Sequence, residues 1–205
     1  MPYPLPRPLV GLVALVVLAL LTGCGSLLPP PPPLEHVYVL EAAAARAGAQ
    51  TTPPREIVLA INPPRARAGY DSAQMVWVRQ PHGLEVFARN RWADTPARML
   101  TPLLVQSLQR SGAFQAVVPS TSNVAAGWRL DTEIIRLQQD FSVKPSRVQL
   151  TLGVQLIDLA TRRVIASAEF EEVEAAASED AYGGVRAANR ALERMLTRIA
   201  AFCAR

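Results

Sequence analysis

The chain has 205 residues, 50% of them hydrophobic, with 21 Lys and Arg against 17 Asp and Glu, a net charge of +4 and a pI near 9.6. That length is enough for one domain of ordinary size with its own core. No block of five like charges occurs, so the basic pI comes from scattered arginines, and nothing marks a stripe for nucleic acid.

Arg7 and the terminal amine give a positively charged start, and Leu9–Leu21 is then apolar apart from Gly11. This run of ~13 residues fits the apolar region of an export signal and is too short to cross a bilayer, which takes about 20. Leu21-Thr22-Gly23-Cys24 follows directly and resembles the bacterial lipobox. In such signals the Cys thiol is acylated and the peptide is cut before it. The expectation is a lipoprotein signal peptide over 1–23 and a lipid anchor, palmitate included, on Cys24. No other cofactor is expected. Two or more acyl chains hold a protein stably at a membrane, where one holds it only marginally. Residues 24–34 read as anchor and tether, because Pro29–Pro33 favours extended polyproline II at ~3.1 Å per residue. Gly25 in place of Asp after the Cys resembles the sorting pattern for the outer membrane. A thioether at Cys24 leaves Cys203 without a partner, and its place on the apolar face of the last helix predicts a buried thiol.

Residues 35–205 are expected to form a single periplasmic domain. Glu35–Leu40 reads as a short strand and 42–55 as an Ala-rich then Pro-containing loop. Glu56–Ile61 is a buried strand stopped by Asn62-Pro63-Pro64, and 65–73 is a loop. Gln74–Gln80 and Leu84–Arg89 flank Pro81-His82-Gly83 and predict a hairpin. Asn90–Ala93 reads as a link to a helix capped by Asp94 or Thr95, with Pro96 in its first turn and Ser111-Gly112 at its end. Pro102 either kinks this helix or marks a fresh start at Thr101. Phe114–Val118 is a short strand. Trp128, Leu130, Thr132 and Ile134 alternate with polar residues, and the phase then shifts at Ile135 and Leu137, which predicts a bulge. Residues 148–157 and 164–170 alternate in the same way. Val185, Ala188, Leu192, Leu196, Ile199 and Cys203 recur at helical spacing over about 179–204, where Gly183-Gly184 weakens the first turns. The fold class is α+β: two layers, a mostly antiparallel sheet with two main helices packed on one face.

No chemical signature is found. His36 and His82 stand in no metal-binding spacing, and there is no nucleophile elbow, phosphate loop or dinucleotide motif, so catalytic and metal residues are both expected to be none. The acidic run Glu169, Glu171, Glu172, Glu174, Glu179, Asp180 lacks the pattern of a calcium loop and fits a solvated strand end and helix start. Of the three tryptophans, Trp128 alternates into the core, and Trp77 lies in a strand with too little polar contrast to assign a face. Trp92, between charged residues and beside Arg89 and Arg91, is the best candidate for an exposed contact residue.

The order of features carries a resemblance. A lipobox and Pro-rich tether lead into His36-Val-Tyr-Val-Leu40. Next come Tyr70-Asp71-Ser72-Ala73-Gln74-Met75-Val76, the hairpin, Asn90-Arg91-Trp92-Ala93-Asp94, an amphipathic helix and three sheet strands. Over roughly 24–205 this resembles the ABC-type transport auxiliary lipoprotein family, which includes the lipoprotein of the paraquat-inducible intermembrane transport system. The resemblance implies a non-catalytic accessory component of an MCE-type system that moves lipid between the inner and outer membranes. It also implies an MCE-domain protein with its ABC permease and ATPase as partners, with lipid itself as a further one. Tyr70, Gln74, Arg91 and Trp92 match the family's most recognisable block and are the candidate partner-binding residues. Two other readings stand beside it: an outer-membrane assembly lipoprotein serving a β-barrel protein, and a periplasmic hydrolase, which would need a Ser/His or metal constellation.

Overall fold

The computed structural model describes residues 34–42 and 53–205; the signal segment 1–23, Cys24, the tether up to Pro33 and most of the loop expected at 42–55 lie outside the described residues. The described elements are β1 (His36–Tyr38), β2 (Arg55–Ile61), β3 (Arg65–Ala66), β4 (Gln74–Val78), β5 (Glu85–Trp92), α1 (Pro96–Ser111), β6 (Phe114–Pro119), β7 (Trp128–Asp140), β8 (Arg147–Asp158), β9 (Arg163–Ala175) and α2 (Ala181–Cys203).

The long strand β7 organises the sheet. Along one edge it pairs antiparallel with β8, which pairs antiparallel with β9. Along the other edge three short strands share it in succession, all parallel. β2 lies against Trp128–Leu130, β3 against Glu133–Ile134 and β4 against Gln139–Asp140. β6 continues the sheet beyond β2, while β5 and then β1 continue it beyond β4. The bulge sits between Ile134 and Arg136, where the phase shift predicts it. Either side of it, Leu130, Ile134 and Leu137 on β7 and Val148, Leu150, Leu152, Val154 and Leu156 on β8 face one way and are buried.

Both helices cover that face. Leu100, Leu104 and Leu108 of α1 and Val185, Ala188, Leu192, Leu196 and Ile199 of α2 complete the core. The architecture is α+β, with its longest ladders antiparallel. Thr95 caps α1 by accepting from the Arg98 amide at 3.4 Å, and Gly112 ends it with a left-handed φ of 65° that suits glycine. Pro102 neither breaks nor restarts α1; it stands on the exposed side of a continuous helix, where the missing amide is lost on the solvent side.

Two segments differ from the sequence reading. Arg65–Ala66 was expected within a loop and instead forms β3, because the amides and carbonyls of this stretch find partners along the free edge of β7; the Arg67 amide donates to Ile134 at 2.9 Å. Asn90–Trp92, expected to be a link, prolongs β5. The cause is β1, which pairs with it from His36↔Asn90 to Tyr38↔Trp92, a non-local contact that local residue patterns do not reveal.

The acidic run is largely a clamp between β9 and α2. Glu172 accepts from Arg194 and Arg198, both at 2.8 Å, and Glu174 from Arg190 at 2.6 Å and Arg194 at 2.8 Å. The three arginines recur every four residues along one stripe of α2 and reach the strand together. Burial pushes the Glu172 and Glu174 carboxyls up, but the arginine hydrogen bonds outweigh it and hold both below the usual carboxylate range. A lowered folded-state pKa adds stability that is present above the unfolded value of about 4.3 and is lost as pH falls through the folded value. Thermal melts from pH 7 to pH 2.5 should therefore be flat at first and fall below about pH 4. Glu172→Gln should lower the plateau by the order of 1 kcal/mol and flatten the acid limb.

Candidate partner-binding surface

The face of the sheet away from the helices carries polar side chains in rows. Tyr70, in the loop between β3 and β4, donates its hydroxyl to Gln138 Oε1 at 2.5 Å, and Gln138 Nε2 donates to Gln149 Oε1 at 3.0 Å. Gln149 Nε2 reaches Asp140 Oδ2 at 3.4 Å, which also accepts from Arg147 Nε at 3.2 Å; Ser142 closes on the other carboxylate oxygen through its amide and hydroxyl. Burial pushes the Asp140 carboxyl up, yet the Ser142 and Arg147 hydrogen bonds bring it below its ordinary value. Burial also raises the Tyr70 phenol, opposed by Arg136. The chain of contacts thus runs from a neutral phenol to a charged carboxylate and fixes the loop that carries Tyr70 onto β7 and β8.

Beyond this chain the same face dips into a polar hollow of about 450 Å³, flanked by Arg65, Arg67, Asp131, Glu133, Gln155 and Glu169. Arg67 approaches Glu133 at 3.7 Å, and Arg129 grips Asp131 through two hydrogen bonds of 2.8 and 2.9 Å. Donors and acceptors of both signs on this strand surface suit another protein's polar surface better than an acyl chain. Gln138 and Gln149 were missed as part of this surface; the only signal in the sequence is their place on the outward beat of alternating strands.

The four residues of the candidate block end up in different environments. Gln74 and Arg91 are register partners across β4 and β5, and both are exposed. Arg91 donates to Glu35 at 3.0 Å, which ties the segment leading into β1 to β5. Tyr70 is half-buried in the network above. Trp92 corrects the expectation: it is not an exposed contact residue but is only 4% exposed, and it belongs to the core. Its amide donates to Ala73 at 2.8 Å, and the indole lines a small cavity of about 20 Å³ with Met75, Leu137, Val148, Gly184 and Ala188. Charged neighbours concealed this, because Arg91 points out on the opposite beat of the strand.

Trp128 is half-buried, with an edge-on contact to Phe114 at 6.1 Å and the Arg55 guanidinium 5.2 Å above its ring. Trp77 joins Phe87 and Phe141 in a half-buried aromatic group, with Arg79 at 4.5 Å. His36 stacks on Tyr38 at 6.5 Å, and His82 holds the hairpin turn with a φ of 65°. Among the described residues no group of three His, Cys, Asp or Glu side chains is placed to hold a metal ion, and no helix is long and apolar enough to cross a membrane.

Cys203 is 1% exposed, and burial pushes its thiol up to about 12, opposed by Arg55, which also donates to the Cys203 carbonyl at 3.0 Å. A thiol so placed stays protonated and shielded. With Cys24 lipidated or replaced by Ser, the folded protein should give no reaction with a disulfide reagent at pH 8 over an hour, and one equivalent once unfolded in guanidinium.

Comparison with known proteins supplies the context. The family described as ABC-type transport auxiliary lipoprotein component matches residues 38–200. Comparison with curated proteins returns no match. Among solved structures, protein XCC0632 from Xanthomonas campestris is similar with a TM-score of 0.73 and 21% identity, covering 82% of this chain and 94% of that one. The hypothetical protein CT253 from Chlamydia trachomatis is similar with a TM-score of 0.51 and 12% identity, over 73% of this chain and 96% of that one. At these identities the likeness concerns the fold.

Proposed function

Because the chain belongs to the ABC-type transport auxiliary lipoprotein family, we propose that it serves as a non-catalytic accessory subunit of an MCE-type lipid transport system. On this reading the lipid on Cys24 anchors it to the outer membrane, and the domain faces the periplasm. The observation that carries the reading is the family match across nearly the whole described domain. The lipobox and the Pro-rich tether support the anchor, and the sorting pattern at Gly25 supports the outer membrane. The partner is an MCE-domain protein, itself joined to a permease and an ATPase on separate chains.

The polar sheet face supports a docking role, since its mixed charges offer specificity and orientation to a protein surface. Of the candidate block, Gln74 and Arg91 are available for contact and Tyr70 positions the adjacent loop. Trp92 acts only by holding β5 in place.

The test is affinity purification of the lipidated protein from gently solubilised envelopes, with mass spectrometry of what is retained. Recovery of an MCE-domain protein, reduced by Arg91→Glu in a protein that still folds, is the expected result. Recovery of a β-barrel protein in its place would overturn the proposal in favour of an outer-membrane assembly role. Labelled palmitate should enter the wild type and not Cys24→Ala; labelling of that variant would refute the anchor.

A further inference from the structure

Aromatic side chains gather at one end of the domain. Trp77 is the register partner of Gln139 on β7, and α2 begins over Gln139, which lies against Gly184. Trp77, Phe87 and Phe141 pack on one another with ring centroids 6.1, 5.8 and 6.3 Å apart. All three are half-buried, and Trp77 and Phe141 stand outside the main core. Around them Val143 is 37%, Leu84 50% and Tyr182 55% exposed. The Ser146 amide donates to Glu179 at 2.8 Å, which holds the turn after Phe141 against the start of α2.

The chain enters the domain at this same end. β1 runs parallel to β5, and β5 starts at Glu85, the register partner of Trp77. From Cys24 to Leu34 is a stretch of about ten residues, which spans at most about 35 Å when fully extended. The opposite end of the sheet, at Trp128, is separated from Asp140 by the length of β7, 13 residues, or about 40 Å at the usual rise of a strand. A lipid on Cys24 thus keeps the aromatic end within reach of the bilayer, while the intervening chain is too short to double back and carry the Trp128 end there.

We propose that this end of the domain rests on the membrane surface, with Trp77, Phe141, Val143 and Tyr182 at the level of the lipid headgroups. Tryptophan and tyrosine favour that layer because their rings are apolar in body and polar at one edge. The Arg79 guanidinium, 4.5 Å over the Trp77 ring, remains in the wet part of the same layer. The inference rests on the reading of Cys24 as a lipid anchor and is independent of which transport system the chain serves. Seated in this way, the long strands stand away from the bilayer and the polar sheet face turns sideways into the periplasm.

The experiment reconstitutes the full lipoprotein into vesicles of phosphatidylethanolamine and phosphatidylglycerol containing a lipid with a shallow nitroxide quencher. A fluorophore is placed at Val143→Cys or, for comparison, at Val124→Cys in the loop that leads into Trp128. The label at 143 should be quenched and the label at 124 should not. Tyr182→Asp, at an exposed position, should bring the quenching at 143 down to the level at 124 with an unchanged circular dichroism spectrum; Leu84→Asp serves if that variant unfolds. Flotation with the vesicles reports the anchor separately. Flotation without quenching at 143 overturns the proposal and leaves the anchor standing, whereas failure to float overturns both. Equal quenching at the two labels, or quenching at 143 that survives both aspartate variants, also overturns it. So does a label site at 143 that is open in vesicles but shielded from maleimide in intact envelopes, since a protein would then cover this end.

Discussion

Trp92→Ala should destabilise the domain by about 3–5 kcal/mol, the range for removing a large aromatic from a core that cannot close over the gap. Trp92 is 4% exposed and lines a small cavity together with Leu137 of β7, Val148 of β8 and Gly184 and Ala188 of α2, so truncation enlarges a void where two layers meet. The effect should extend to β1, whose Tyr38 is the register partner of Trp92 and whose carbonyl receives the Ala93 amide at 2.7 Å. Urea unfolding followed by circular dichroism measures the loss. Proteolysis should cut ahead of β2 sooner in the variant than in the wild type. Arg91→Ala is the control: it breaks an exposed ion pair with Glu35 and should cost no more than about 1 kcal/mol. Equal losses for the two variants would refute the core assignment of Trp92.

Gly183→Ala should also be severe, by about 2–4 kcal/mol, as expected where an added carbon meets backbone that cannot yield. A Cβ at Gly183 would lie 2.2 Å from the Ser178 carbonyl oxygen and 2.6 Å from its hydroxyl. That turn is held by Asp180, which accepts from the Gly183 amide at 2.7 Å and from the Ser178 hydroxyl at 2.8 Å, so relieving the clash also strips the helix of its N-terminal cap. Gly184→Ala is the gentler companion. Its Cβ would lie 2.2 Å from Gln139 Oε1, the end of a side chain and not backbone, so the penalty should be smaller. Denaturant midpoints for the two variants give the order, and a Gly183→Ala protein as stable as the wild type would refute the close-approach argument.

Those glycines show how far the sequence could be read. From propensity alone Gly183-Gly184 looks like a weak helix start; in the structure the pair is what lets α2 lie against β7 and the Ser178 turn. The alternation of β7, β8 and β9 and the heptad-like spacing of Val185 to Cys203 were legible because they follow from local periodicity. The bulge after Ile134 was legible for the same reason. The parallel attachment of β2, β3 and β4 was not, since a short apolar run has no mark for direction or partner. Trp92 was misplaced because charge on its neighbours says which beat of a strand is wet only when the strand itself is recognised, and β5 there depends on β1. In the candidate surface, Tyr70 could be singled out, but its partner Gln138 lies far along the chain and is joined to it only by folding.

The shared edge of β7 also sets an order of events. β2, β3 and β4 precede β7 by dozens of positions, and each must wait for it; β2 has a second parallel neighbour in β6, itself dozens of positions later. A chain that emerges N-terminus first, from a ribosome or a translocation pore, has Leu59, Ile61, Met75 and Val76 in the open before the strand that shelters them has arrived. Loop closure over such separations is slow, and exposed strands in the interval invite wrong pairings. Nascent molecules of this protein should therefore depend on holding chaperones until residue 140 is clear, and fragments ending before Trp128 should be captured by them without folding.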